Sequence, residues 1–374
     1  MRLFAFAVLL LLSTCGPAQT TTVPLEPAAW DFGAADHEFV TYQGRQALRI
    51  NTGTGPTGGQ IVRVNELTFT NGTLDFDLAL ADSSFFTTVY FRLQDDENTE
   101  HVYLRAFFAD HPRAGSAVQY AAVVDGVNYW DVSHEYQGAA DFRKERWIPI
   151  RLIVRDEQLL VYVSDMDRPA LYIPVLDGGF ESGSIGFDGI GWIANLTVTP
   201  DATPGLAPGR GYDPTHNDPR YLRQWQVSAP VDFPFGREPV AADLPGENAE
   251  WTDLTAERHG LVNLSRRFGA TAPDSRRLVW LRTTVTADEA QRRRLDFGYS
   301  DEVYVYLNGT PLYQGKNLYN TPSMKAPGGR ASIENSRIEV ALVEGENELL
   351  IGVTNFFFAW GIVGRWDDGA GLRY

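Results

Sequence analysis

Two neighbouring segments carry the side chains best suited to chemistry. Along Thr87–Gln94, strand alternation sends Val89, Phe91 and Leu93 to one face and Tyr90, Arg92 and Gln94 to the other. Along Glu100–Phe108, Val102, Leu104 and Ala106 share a face, and His101, Tyr103 and Arg105 share the opposite one. Paired as a hairpin, these strands would present Tyr90, Arg92, His101, Tyr103 and Arg105 on one polar-aromatic surface, with the apolar sets beneath. Gln119 on the next strand would join them if it faces outward; Val118 and Tyr120 leave its facing open. Aromatic rings stack on sugar faces, while Arg, His and Gln bond hydroxyls or a uronate. His101, Tyr103 and Arg105 are also the candidate acid, base and charge-neutralising groups of a hydrolase or lyase. The competing reading is an ordinary outer sheet face with cross-strand pairing. The lack of Lys, Glu, Thr and Ser among these positions weighs against it.

Other chemistries find little support. A glycosidase with both acids on one strand needs alternation to aim two carboxylates at one sugar. The acidic groups here, Asp95-Asp96-Glu97, Asp165 with Asp167, and Asp367-Asp368, fall in turns or near the C-terminus. They read as solvated loops, and a structural calcium ion on one of them is the single metal candidate. Gly183-Ser184-Ile185-Gly186 lacks the spacing of a nucleophile elbow and sits in a strand. His37, His101, His111, His134, His216 and His259 make no closely spaced pair, which argues against zinc. No cofactor is expected.

The elements that must position these residues are short strands. Alternating runs recur between clusters of Gly, Asp, Asn and Pro, and helical periodicity is nearly absent. Asp156-Glu157-Gln158 and Asn308-Gly309 read as hairpin turns, the latter because both positions tolerate positive φ. Pro200 to Arg220 is rich in Pro, Gly and Asp and lacks apolar periodicity, so it reads as a linker. The expected fold is all-β: two successive antiparallel β-sandwich (jelly-roll) domains, at 28–200 and 221–374, joined by a 201–220 linker. Asn128-Tyr129-Trp130, Trp192 and Phe356–Trp360 are further aromatic candidates, better explained by packing.

Residues 1–18 read as a signal peptide: Arg2, an apolar Leu3–Leu12 run, then small residues to Ala18. The run is shorter than the roughly 20 residues a membrane helix needs. Cleavage after Ala18 would release a soluble product. Leu12-Ser13-Thr14-Cys15 resembles a bacterial lipobox, which makes Cys15 the candidate lipidation site, although Thr14 departs from the pattern. Cys15 is the only cysteine, so the mature chain carries no disulfide, thiolate metal site or cysteine nucleophile. That suits a bacterial envelope or secreted protein. A net charge of −16 argues against nucleic acid as a partner.

Leu74–Leu78, Val89–Leu93, Trp147–Val154, Gly183–Phe187 and Ile193–Val198 together resemble the concanavalin A-like jelly rolls, especially the 3-keto-disaccharide hydrolase or glycoside-hydrolase-16-like family. The Glu-x-Asp-x-x-Glu motif of glycoside hydrolase 16 does not occur. Trp225–Pro230, Val279–Thr283, Phe297–Gly309 and Gly345–Ile351 are similar to galactose-binding-domain-like modules. The resemblance implies a protein that handles carbohydrate, and the leader implies export. Binding through Tyr90, Arg92, His101, Tyr103, Arg105 and Gln119 ranks first, a hydrolase or lyase second, and a structural envelope protein with protein partners third.

Overall fold

The computed structural model describes residues 19–53 and 60–374. The leader and Cys15 lie outside the described residues. Nearly all regular structure is strand, every named strand pair is antiparallel, and the α-helical content among the described residues is Leu264–Phe268. No described helix is long and apolar enough to cross a membrane.

The strands up to Pro200 form two facing sheets joined by one long strand, Ser184–Pro200. Its first part pairs with Val62–Val64 and Phe86–Leu93; its second part pairs with Arg45–Asn51 and Gly72–Leu80. The sequence suggests two separate strands here because glycines interrupt the pattern. The glycines instead let one strand bend between sheets. Gly189 has φ +110, and a Cβ on Gly191 would stand 2.3 Å from the Ala79 carbonyl oxygen. Val89, Phe91, Val102, Leu104, Val118 and Tyr120 point into the core with Leu74, Phe76, Ile150 and Phe187. Each such side chain contributes about 1.5–3 kcal/mol on leaving water. The expected alternation of Phe86–Leu93 and Thr99–Arg105 therefore positions the core faces, and Tyr90 lies opposite His101 in register.

The strands from Gln224 onward form a second pair of sheets around Trp225, Val279, Leu281, Phe297, Val303, Ile351, Trp360 and Trp366. Asn308 and Gly309 take φ of 49° and 75° in the Glu302–Leu307/Thr310–Lys316 hairpin. Gly361–Trp366 is a strand the sequence pattern hid, because Gly361 and Gly364 break its apolar run. A Cβ on Gly361 would meet the Val262 carbonyl oxygen at 2.7 Å.

The two sandwiches pack on each other. Tyr129, Val127, Val132 and Ala122 of the first meet Leu261, Ala331 and Ala359 of the second. Arg258 reaches across to Asp177 at 2.9 Å and to Glu135, and lies 4.1 Å above the Tyr136 ring. The proline-rich stretch after Pro200 is tied to the first sandwich. Leu206 packs on Ile153 and Leu160, and Gln158 donates to the Ala207 and Gly209 carbonyls.

Candidate functional site

The sheet of Phe86–Leu93, Thr99–Arg105 and Val118–Val124 carries a polar row on its outer face. Tyr90 and His101 sit side by side with ring centroids 5.5 Å apart, and His101 and Tyr103 follow at 5.8 Å. Gln119 does face outward, opposite Tyr103 in register. Arg105 Nη2 donates to Tyr103 Oη at 3.1 Å and to Gln119 Oε1 at 2.5 Å. Gln119 Nε2 donates to the Trp130 carbonyl at 2.9 Å. From the second sandwich, Arg330 Nη2 adds a 3.2 Å bond to the same Gln119 oxygen, and its guanidinium lies 4.9 Å above the Trp130 ring.

Arg92 does not join this row. Its backbone takes φ +49, and the partner strand shifts register between Ser184 and Gly186. That irregularity breaks the two-residue period and turns the guanidinium toward one end of the sandwich. There it donates to the carbonyls of Thr70, Asp156 and Phe180 and to Asn71 Oδ1, at 2.8–3.0 Å. A bulge leaves no trace in the alternation of residue types along a strand.

The row is not an open groove. Tyr90, His101, Tyr103, Arg105 and Gln119 are only 0–7 % exposed, and Arg92 only 3 %. Around Tyr103 and Trp130 the cover is aromatic: Phe86 from the first sandwich, Phe357 and Phe358 from the second. Beyond that cover the rings reach solvent. Phe85 and Phe107 are 49 % and 40 % exposed and 4.8 Å apart, and Phe86 links them to Tyr103. On the opposite flank Tyr319 is 46 % exposed; it packs edge-on against Trp130 at 4.9 Å and lies nearly parallel to Phe357.

Electrostatics separates the members of the row. Burial pushes His101 down to about 3, so its imidazole is neutral near pH 7; Nδ1 lies 3.2 Å from Thr99 Oγ1 and Nε2 has no partner. A base this weak is poorly matched to proton abstraction at neutral pH. Burial also raises Tyr103 above the ordinary phenol range. Sequence reasoning missed Asp188, which lies between the two strands expected there. It accepts the Tyr90 hydroxyl proton at 2.7 Å, and burial pushes it up to about 6 despite the hydroxyls of Thr88 and Tyr90. The signal was an acid between glycines, Gly186-Phe187-Asp188-Gly189. Arg330 was also missed, because nothing local in sequence marks a contact made across domains, and so was the Phe85/Phe107 pair, whose members lie just outside the two strands that bear the row.

Among the described residues no group of three or more His, Cys, Asp or Glu could hold a metal ion. Asp95 is spent on Glu97 N and Asn98, and Asp165 on Asp167 N and Arg168.

No family model and no curated protein matches the chain. Solved structures do. A carbohydrate-binding module, CBM66, from Bacillus subtilis is 12 % identical over 49 % of this chain and 96 % of its own, with a TM-score of 0.31. A Bacillus licheniformis β-glucanase is 9 % identical over 50 % of this chain and 99 % of its own, at 0.34. Chicken galectin 2 is 10 % identical over 35 % of this chain and 93 % of its own, at 0.27.

Proposed function

We propose that this is an exported carbohydrate-binding protein whose ligand contacts the aromatic rim beside the polar row. The observation that carries the reading is the exposed Phe85/Phe107 pair, continuous through Phe86 with Tyr103 and Trp130 and flanked on the far side by Tyr319. Exposed rings held rigidly by a packed base are the surface on which sugar rings stack, and an exposed apolar cluster of this kind marks a contact site. On this reading Tyr103, Arg105, Gln119 and Arg330 are positioning residues. They bond one another and fix the rings, rather than meeting the glycan themselves. Export rests on the leader, and Cys15 leaves a lipid-anchored form as the alternative to a soluble one.

One observation favours a second reading, a hydrolase or lyase. Asp188, held near 6 and bonded to Tyr90, has the titration range of a working acid or base. A glycan array on the mature protein, followed by reducing-end and unsaturated-product assays on each glycan retained, separates the two. Binding without product supports the first reading. Product formation lost in Asp188→Asn and kept in His101→Ala would replace it with the second.

A further inference from the structure

At the other end of the first sandwich, where Arg92 points, the two sandwiches leave a cavity of about 740 Å³ between them. That volume lies within the range of small-molecule sites, and domain boundaries are where such sites tend to form. Its walls come from the loop at Thr70-Asn71, the loop at Asp177–Glu181, Arg210, and Glu257–Arg266 of the second sandwich.

Four arginines and five carboxylates line the cavity, and three ion pairs close between them. Arg210 pairs with Glu157 at 2.8 Å, Arg266 with Glu257 at 2.6 Å, and Arg258 with Asp177 at 2.9 Å. Arg92 makes no ion pair among the described residues; carbonyl oxygens hold it in place. An anion would meet its attraction to the arginines cancelled by the neighbouring carboxylates, and a cation the reverse. What such walls offer is a dense, fixed array of donors and acceptors close to charge balance. Phe180 adds one half-buried ring. The loop that carries it is clamped from three sides. Its Phe180 carbonyl accepts from Arg92, its Asp177 side chain from Arg258, and its Asp177 carbonyl from Arg266 at 2.7 Å. Beneath it lies the fully buried Glu100, whose Oε1 has no partner; a Cβ on Gly178 would stand 2.6 Å from that oxygen.

We infer that this seam is a second binding site, for a neutral saccharide of one to three rings, formed only when both sandwiches are docked. Neutral sugars present hydroxyls that donate and accept at every face, which is what paired Arg and carboxylate walls complement. The inference extends the carbohydrate reading to a site that shares no residue with the aromatic rim.

The test is crystallisation of the mature two-domain protein with cellobiose, xylobiose and lactose in turn, with inorganic phosphate and galacturonate as charged controls, beside calorimetric titration of the same probes. The expected result is a neutral disaccharide in the seam within bonding distance of the paired side chains. Thr70→Trp, at an exposed position on the cavity wall, should weaken that binding by about tenfold or more without changing the melting temperature; Arg210→Ala should weaken it less. Sugar at the seam but not on Phe85 and Phe107 would sustain this site and sink the rim. Sugar on the rim alone, or an unchanged affinity in Thr70→Trp, would overturn the seam and leave the rim standing. Sugar at neither place would overturn both, and preference for phosphate or galacturonate would overturn the neutral-ligand assignment.

Discussion

The first sandwich uses polar side chains in two opposite ways. On its outer face, Arg105, Gln119 and Tyr103 bond one another and are sealed by Arg330 and aromatic rings. At its end, Asp177 and Glu157 pair with arginines from outside the sandwich, and the pairs stand around an open cavity. The difference is one of satisfaction against space. Where Tyr103, Arg105 and Gln119 close their bonds among themselves, they rigidify what lies above them. Paired charges around a void keep hydrogen-bonding capacity for something else. Chemical type alone, Tyr, Arg and His on neighbouring strands, does not distinguish the two uses.

The largest expected effect lies at Arg258. It is 8 % exposed and holds both Asp177 and Glu135. Arg258→Ala strands the buried Asp177 and the half-buried Glu135 and should cost about 3–5 kcal/mol, seen as a large drop in melting temperature. Arg210→Ala, which removes an exposed partner of Glu157, should cost less than about 1 kcal/mol. Equal losses would contradict the difference in burial between the two pairs.

Next in size is the polar row. Arg330→Met removes a donor from Gln119 and a cation from above Trp130 and should cost about 1–3 kcal/mol in denaturant unfolding. It should also loosen the Tyr319 flank, read as faster hydrogen exchange across Lys325–Ser336 with the Gly72–Leu80 strand unaffected. An unaltered exchange pattern would mean that the row positions nothing.

A smaller effect belongs to pH. Asp301 and Asp131 are buried near each other where the sandwiches meet, with Ser300 Oγ within 3.5 Å of both. Burial pushes Asp301 up to about 7 and raises Asp131 well above the carboxylate range. Glu100 is likewise pushed up to about 7. Between roughly pH 4 and 7 these carboxyls hold protons that the unfolded chain has released, so the stability they contribute is complete below the unfolded carboxylate value and declines as pH rises through 7. Melting temperature should fall from pH 5 to pH 8, and Asp301→Asn should flatten part of that slope. A rise over the same interval would contradict the assignment.

Sequence alone gave access to the architecture and to most of the row. Alternation across Val89–Phe91 and Val102–Leu104 determines the inward side chains, and so places Tyr90, His101 and Tyr103 outward. It misplaced Arg92 because a bulge changes the period locally, and it left Asp188 outside any strand because glycines mimic a break. What no local pattern carries is what covers a face. Arg330, Phe357 and Phe358 lie more than 200 residues from Gln119, and they convert a surface that looked exposed into an interface.

The aromatic rim is tested by calorimetric titration of the mature protein and a Phe85→Ala/Phe107→Ala double variant with the neutral oligosaccharide that a glycan array ranks first. The rings stack on an exposed flank, so melting temperature should shift little while affinity falls by about tenfold or more. Unchanged affinity in the double variant, at any melting temperature, would contradict the account.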